Sequence, residues 1–100
     1  MTDRAGTSED LRGVRAGIDR LDREIVELLA AREQLVRRAG RLKTSAAGVR
    51  APARVEQVIA RVRAHGATAG AGPDVVERTY RAMISAFIDL ELSAADLRDG

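Results

Sequence analysis

Two cations stand out by type and spacing. Arg32 and Lys43 lie eleven residues apart in a segment of helical periodicity, and eleven steps of about 100° return to within roughly 20° of the same direction. Leu35, Val36 and Ala39 fall between them on that face. The two charges therefore bracket an apolar strip. Arg15 stands seventeen residues before Arg32, about 100° around the axis and roughly 25 Å along it. Within one straight helix it cannot reach a small ligand held by Arg32, but from an antiparallel partner helix it can. Glu91 is the matching oddity: it follows Tyr80, Ile84 and Phe87 at helical spacing, so an acid sits on an apolar face. Such an acid is either at an exposed helix end or buried for a purpose. The chemistry these residues suit is the holding of an anion by fixed positive charge. The chain has no Cys and a single His, His65, which leaves no thiolate nucleophile and no metal-ligand cluster.

The distribution of charge along that first segment is uneven. Residues 11–31 set Arg12, Arg15, Arg20 and Arg23 against Asp19, Asp22, Glu24 and Glu27. Residues 32–43 set Arg32, Arg37, Arg38, Arg41 and Lys43 against Glu33 alone. Cations favour a helix C-terminus, which accounts for Arg41 and Lys43 but not for Arg32, about three turns earlier. Two readings fit: an anion site shared between two chains, or solvated arginines lying over a dimer seam.

The element that positions these residues is one helix over Leu11–Lys43. Leu11, Val14, Ile18, Leu21, Ile25, Leu28, Leu35, Val36, Ala39 and Leu42 recur every three or four residues almost throughout. Thr7 with Asp10, or Ser8, can cap its start. Such a helix is roughly 50 Å long, whereas a compact 100-residue domain has a radius of gyration of only about 13 Å. Its apolar stripe needs a cover from outside the chain, and a second copy of the chain is the simplest. Pro52 opens a second helix carrying Val55, Val58, Ile59 and Val62, ending near His65. Pro73 and Asp74 open a third, with Val76, Tyr80, Met83 or Ile84, Phe87, Leu90 and Leu92 on its apolar face. Residues 44–51 read as a loop and 66–72 as a glycine-rich connector. Gly66, Gly70 and Gly72 match no dinucleotide or phosphate-loop pattern. The expected organisation is a flexible lead over 1–7, an all-α domain of three helices over 8–95 and a tail over 96–100.

Composition narrows the class. Hydrophobic residues make up 45% of the chain and charged residues 32%, as in a soluble folded protein, while aromatics are only 2%. The core must come from Leu, Val, Ile and Ala. No apolar run is long enough to span a bilayer, and the polar first ten residues contain no signal-peptide core, so the cytoplasm is the expected location. A net charge of +2 does not imply nucleic acid. Acids interleave the arginines, and stacking aromatics and a recognition-helix motif are both missing.

Several segments together resemble the all-helical class of chorismate mutases, and equally the closely related isochorismate pyruvate lyases. They are Val14-Arg15, Ile18-Asp19-Arg20-Leu21-Asp22, Ala31-Arg32, Arg41-Leu42-Lys43, Ala51-Pro52-Ala53-Arg54-Val55 and Ile84 to Glu91. The resemblance implies an intertwined helical homodimer with two equivalent sites and no cofactor or metal. It implies that Arg32 and Lys43 of one subunit, with Arg15 of the other, bind the two carboxylates and the ether oxygen of a chorismate-like dicarboxylate. Arg54 adds a carboxylate contact, and Ala51, Val55 and Phe87 line the substrate. Glu91 stands where the family usually has Gln, and sometimes Glu, facing the ether oxygen. Arg32, Lys43 and Glu91 are thus the expected catalytic residues.

That residue list suits the conversion of chorismate to prephenate, an intramolecular pericyclic rearrangement that needs no nucleophile. It needs a compact conformer of a flexible dianion and fixed positive charge where a C–O bond breaks. Arginine forks suit the carboxylates and a lysine point charge suits the ether oxygen. Two departures bear on the substrate. Ala51 and Val55 stand where mutases often place acids for the substrate's C4 hydroxyl, a feature shared with the lyases. Glu91, in turn, departs from the Gln expected of a lyase. A mutase for 4-amino-4-deoxychorismate is a third possibility. A helical interaction module or nucleic-acid-binding dimer is the non-enzyme alternative.

Overall fold

The structure, a computed structural model, describes residues 10–95. Four helices follow in order: α1 Leu11–Leu42, α2 Ala46–Arg50, α3 Pro52–Ala69 and α4 Pro73–Ala95. Three are long, as the periodicity predicts, and the described residues contain no strand. The expected lead over 1–7, the tail over 96–100 and the candidate caps Thr7 and Ser8 lie outside the described residues. By contacts the chain divides after Gln34 into two compact units.

The first unit is the N-terminal part of α1. Asp10 caps it: its Oδ1 accepts from the Gly13 N–H at 2.9 Å and its carbonyl accepts from Val14 at 3.1 Å. This satisfies donors that a helix N-terminus leaves open. None of residues 11–34 is buried. The apolar stripe lies open along this stretch, from Leu11 at 61% exposure through Ile18, Leu21 and Ile25 to Leu28 at 70%.

The second unit holds the core. Helices α3 and α4 form an antiparallel hairpin, and α2 packs on α4. Val49 of α2, Ile59 of α3, and Ile84 and Leu92 of α4 are its buried apolar side chains. Where the spacing predicts a loop over 44–51, the chain forms the five-residue α2. Ser45 makes this possible, because its Oγ accepts from the Gly48 N–H at 3.1 Å, and the turn is held by burying Val49. Ala51 then adopts a left-handed conformation, φ 34° and ψ 64°, ending α2 and starting α3.

The second long helix does not stop near His65. It runs on through Gly66 to Ala69, so His65 is an exposed residue inside α3 rather than at its end. Gly66 is buried against α4, and a Cβ there would lie 2.9 Å from Val76 Cγ2. Glycine costs about 1 kcal/mol of helix propensity relative to alanine; here it permits close helix packing. The helix closes at Gly70, φ 88°, with Gly70 N–H donating to Ala67 O and Ala71 N–H to Gly66 O at 2.8 Å. This is the Schellman arrangement, and it shortens the expected connector to residues 70–72. No described helix is long and apolar enough to cross a membrane.

A chain of ion pairs braces the hairpin. Arg81 of α4 forks onto Glu56 of α3, with both bonds at 2.9 Å, and its Nε donates to Glu77 at 2.7 Å. Arg63 of α3 reaches Glu77 at 2.8 Å and Asp74 at 3.1 Å. The hydrogen bonds from Arg81 hold the carboxyls of Glu56 and Glu77 below their ordinary value. Bonds to Asp74 and Glu77 raise Arg63, and bonds to Glu56 and Glu77 raise Arg81.

Because Glu56 and Glu77 titrate lower in the folded chain than in the unfolded one, the unfolded chain takes up their protons first as pH falls. Their contribution is full above the ordinary carboxyl value and is lost on the way down through the lowered one. Arg81→Met should therefore melt at a lower temperature than the parent chain at pH 7. The gap should narrow progressively below about pH 4.5. Thermal melts of both proteins across that range check this. A gap that stays constant to pH 3 would show that the network does not stabilise the hairpin.

Candidate functional site

Glu91 decides between its two readings by burial. It retains 7% exposure on α4, although it is one residue from the apolar Leu92 and one turn from Phe87. It is the buried charged residue of the described core. Its partner is Lys43, immediately after α1: Nζ lies 3.0 Å from Oε2 and 3.4 Å from Oε1. The lysine is 30% exposed. A carboxylate removed from water is tolerated when a cation pairs with it. Lys43 is tethered in turn by its backbone, whose N–H donates to the Gly40 carbonyl at 3.2 Å.

Lys43 has a further distinction. It is the sole lysine in the sequence, all sixteen other cations being arginine. In a chain that otherwise meets every need for positive charge with guanidinium, the one compact ammonium is the one held by a buried acid. That signal was available from the sequence by counting.

The Glu91 oxygens turn to Lys43. An ammonium has three N–H donors, and one carboxylate edge engages at most two of them. At least one donor remains for another acceptor. Glu91 thus orients Lys43 without using all of its donors.

A pocket of about 240 Å³ opens beside Glu91, lined by Arg37, Gly40, Arg41, Glu91 and Ala94 and not by Lys43. Arg37, Arg41, Gly40 and Ala94 are not on the predicted list. The first two belong to the cationic segment 32–43, so their enrichment was visible in the sequence while their shared wall with Glu91 was not.

The other predicted residues fall as follows. Ala51 is half-buried in its left-handed conformation at the head of α3, and Val55, one turn on, is also half-buried. Arg54 is exposed and donates to Gln57 Oε1 at 2.9 Å. Phe87 is half-buried on α4. Arg15 and Arg32 belong to the first unit, where Arg15 is exposed and Arg32 half-buried. They lie on one continuous helix, seventeen residues or roughly 25 Å apart, so these two do not meet within one chain. Of the strip between Arg32 and Lys43, Leu35 and Ala39 are exposed and Val36 is half-buried. The described residues contain no group of three His, Cys, Asp or Glu arranged to hold a metal ion.

Removing one member of a buried pair leaves the other without a partner, whereas removing both does not. Lys43→Met should cost about 1–3 kcal/mol of stability. Lys43→Met combined with Glu91→Leu should recover most of that loss. Urea unfolding at fixed protein concentration measures both. A loss in the double variant equal to the sum of those of Lys43→Met and Glu91→Leu alone would mean that the pair is not energetically coupled.

A sequence model of the family described as chorismate mutase type II matches residues 14–92. No curated protein and no solved structure matches the chain. The matched span runs from the residue before Arg15 to the residue after Glu91, and takes in Arg32, Lys43, Arg54 and Phe87. This chain belongs to the chorismate mutase type II family.

Proposed function

We propose that the chain is a chorismate mutase, converting chorismate to prephenate in a homodimer with two sites shared between subunits. The observation that carries this reading is the Lys43–Glu91 pair, inside the span matched to the family. In the rearrangement the ether C–O bond breaks as a new C–C bond forms within one molecule. Negative charge grows on the ether oxygen. A lysine oriented by a buried acid supplies a fixed donor and a fixed charge there, and preorganised charge of this kind lowers the barrier without reorganisation. Guanidinium groups at Arg32, Arg54 and the second copy's Arg15 would hold the two carboxylates and keep the flexible dianion in its reactive conformer.

Glu91 orients Lys43 in this scheme. Phe87, Val55 and Ala51 give the carbocycle an apolar wall.

The dimer rests on the open stripe of α1. A single chain leaves Leu11, Val14, Ile18, Leu21, Ile25 and Leu28 between 41% and 70% exposed. Isolated helices are marginal in water, and a contiguous apolar stripe of this extent is typical of an interface. A second α1 laid antiparallel would cover it and would carry Arg15 to the far site.

Ala51 and Val55 favour one alternative enough to test it alongside. Both are apolar, and neither offers an acceptor for a hydroxyl at C4 of the substrate. An isochorismate pyruvate lyase has no need of such an acceptor, because its substrate carries that hydroxyl elsewhere.

Incubation with chorismate should yield prephenate, while isochorismate should yield neither salicylate nor pyruvate above the uncatalysed rate. Separation of products by chromatography reads both reactions. Salicylate and pyruvate from isochorismate, with chorismate untouched, would replace the mutase by the lyase.

Sharing of the site predicts complementation. Arg15→Ala and Arg32→Ala homodimers should each lose at least about a hundredfold in kcat/KM. After subunit exchange in equal amounts, half the dimers are mixed and each mixed dimer has one intact site. Activity should then return to about a quarter of the parent value. No recovery, with mixed dimers confirmed by mass spectrometry, would rule out a site built from two chains.

A further inference from the structure

Gly40 lies inside α1, two residues from its end, and is buried. The space beside its Cα is taken by Glu91. A Cβ built there would stand 3.0 Å from Glu91 Oε2, 3.4 Å from Cγ and 3.6 Å from Cδ. The nearest atom is thus the same oxygen that receives the 3.0 Å bond from Lys43. Helix geometry does not call for glycine here. Gly40 has no left-handed backbone, and glycine is among the poorest helix formers. The other face of the same residue holds the lysine, since the Gly40 carbonyl accepts the Lys43 backbone N–H. One residue therefore sets both ends of the pair: it fixes where the Lys43 backbone leaves the helix and clears the volume in which the Glu91 carboxylate lies.

We propose that Gly40 is a positioning residue of the active site, whose missing side chain lets the Glu91 carboxylate lie against α1 and hold the Lys43 ammonium in line for the substrate. The role is steric and acts through Glu91. A methyl group at position 40 pushes against a carboxylate whose present place is the one in which it bonds Lys43. The carboxylate shifts, and the ammonium follows it or loses its partner. This inference rests on the mutase reading for its effect on turnover; its steric part stands apart from that reading.

Shortening the acid relieves the contact, which gives the test. Gly40→Ala, Glu91→Asp and the double variant are compared with the parent for melting temperature and for kcat and KM on chorismate. In the parent background Gly40→Ala should lower kcat by at least about tenfold, as sub-ångström to ångström misplacement of a catalytic charge does, and should lower the melting temperature. In the Glu91→Asp background, where the carboxylate is drawn back by one methylene, the same substitution should change kcat less than about twofold and raise the melting temperature, because alanine favours the helix. That sign reversal is the signature of a steric contact with residue 91, and a general loss of packing would not produce it. If Gly40→Ala has the same effect in both backgrounds on both readouts, the proposal is overturned. If Glu91→Asp leaves no measurable turnover, the melting temperatures decide: loss in one background with gain in the other supports the contact, and equal changes overturn it. Failure of the parent chain to convert chorismate would remove the mutase reading, while the melting-temperature cycle would still judge the contact.

Discussion

A carboxylate held out of water governs how this chain is put together. Glu91 retains 7% exposure, and its charge is met by Lys43 at 3.0 Å. Burial of an acid is costly unless a cation and good geometry accompany it. Both are supplied by elements distant in sequence. Helix α4 brings the acid, the residue just after α1 is the lysine, and Gly40 makes the room. Helix α2 packs on α4 beyond them, and the α3–α4 hairpin is clamped on its exposed side by the Arg81–Glu56 and Arg63–Glu77 pairs. The surface pairs are screened and individually weak; the buried pair is the one whose disruption leaves a charge stranded.

The chemistry of chorismate rearrangement fits so spare a site. The bonds that break and form lie within one molecule, so a protein that catalyses this reaction supplies positions and charges rather than a nucleophile. An ammonium fixed by a buried acid differs from a surface lysine in having its direction set before the substrate arrives. Preorganisation of that kind costs nothing at the moment of reaction. Under the mutase proposal, the one lysine of a chain that otherwise uses arginine has a task of its own. A planar fork suits carboxylates, and a compact point charge suits a single ether oxygen.

Much of the fold was legible in the sequence because helices announce themselves locally. The three- and four-residue spacing from Leu11 to Leu42 and from Val76 to Leu92 marked two helices and, for the second, the face that is buried, and Pro52 and Pro73 marked two starts. Glu91 was visible as an acid on an apolar face. What was not legible depended on contacts between distant segments. The five-residue α2 exists because Ser45 caps it and Val49 finds a core, and no periodicity can show in so short a piece. Gly66 reads as a helix breaker until Val76 is seen against it. The link from Lys43 to Glu91 spans 48 residues, so composition and spacing could place each side chain on its face without joining them. Family resemblance supplied the roles proposed for Arg15, Arg32 and Arg54, which no local pattern assigns.

The account turns on Lys43 meeting the substrate while Glu91 holds it, and a chain with one lysine allows that to be seen directly. Protein labelled with 15N-lysine carries a single labelled side-chain ammonium, Nζ of Lys43. Titration with prephenate, the product, should move that resonance saturably, with the same concentration dependence as product inhibition of chorismate turnover. An ammonium signal that stays fixed through saturating prephenate would contradict the assignment of Lys43 to the site.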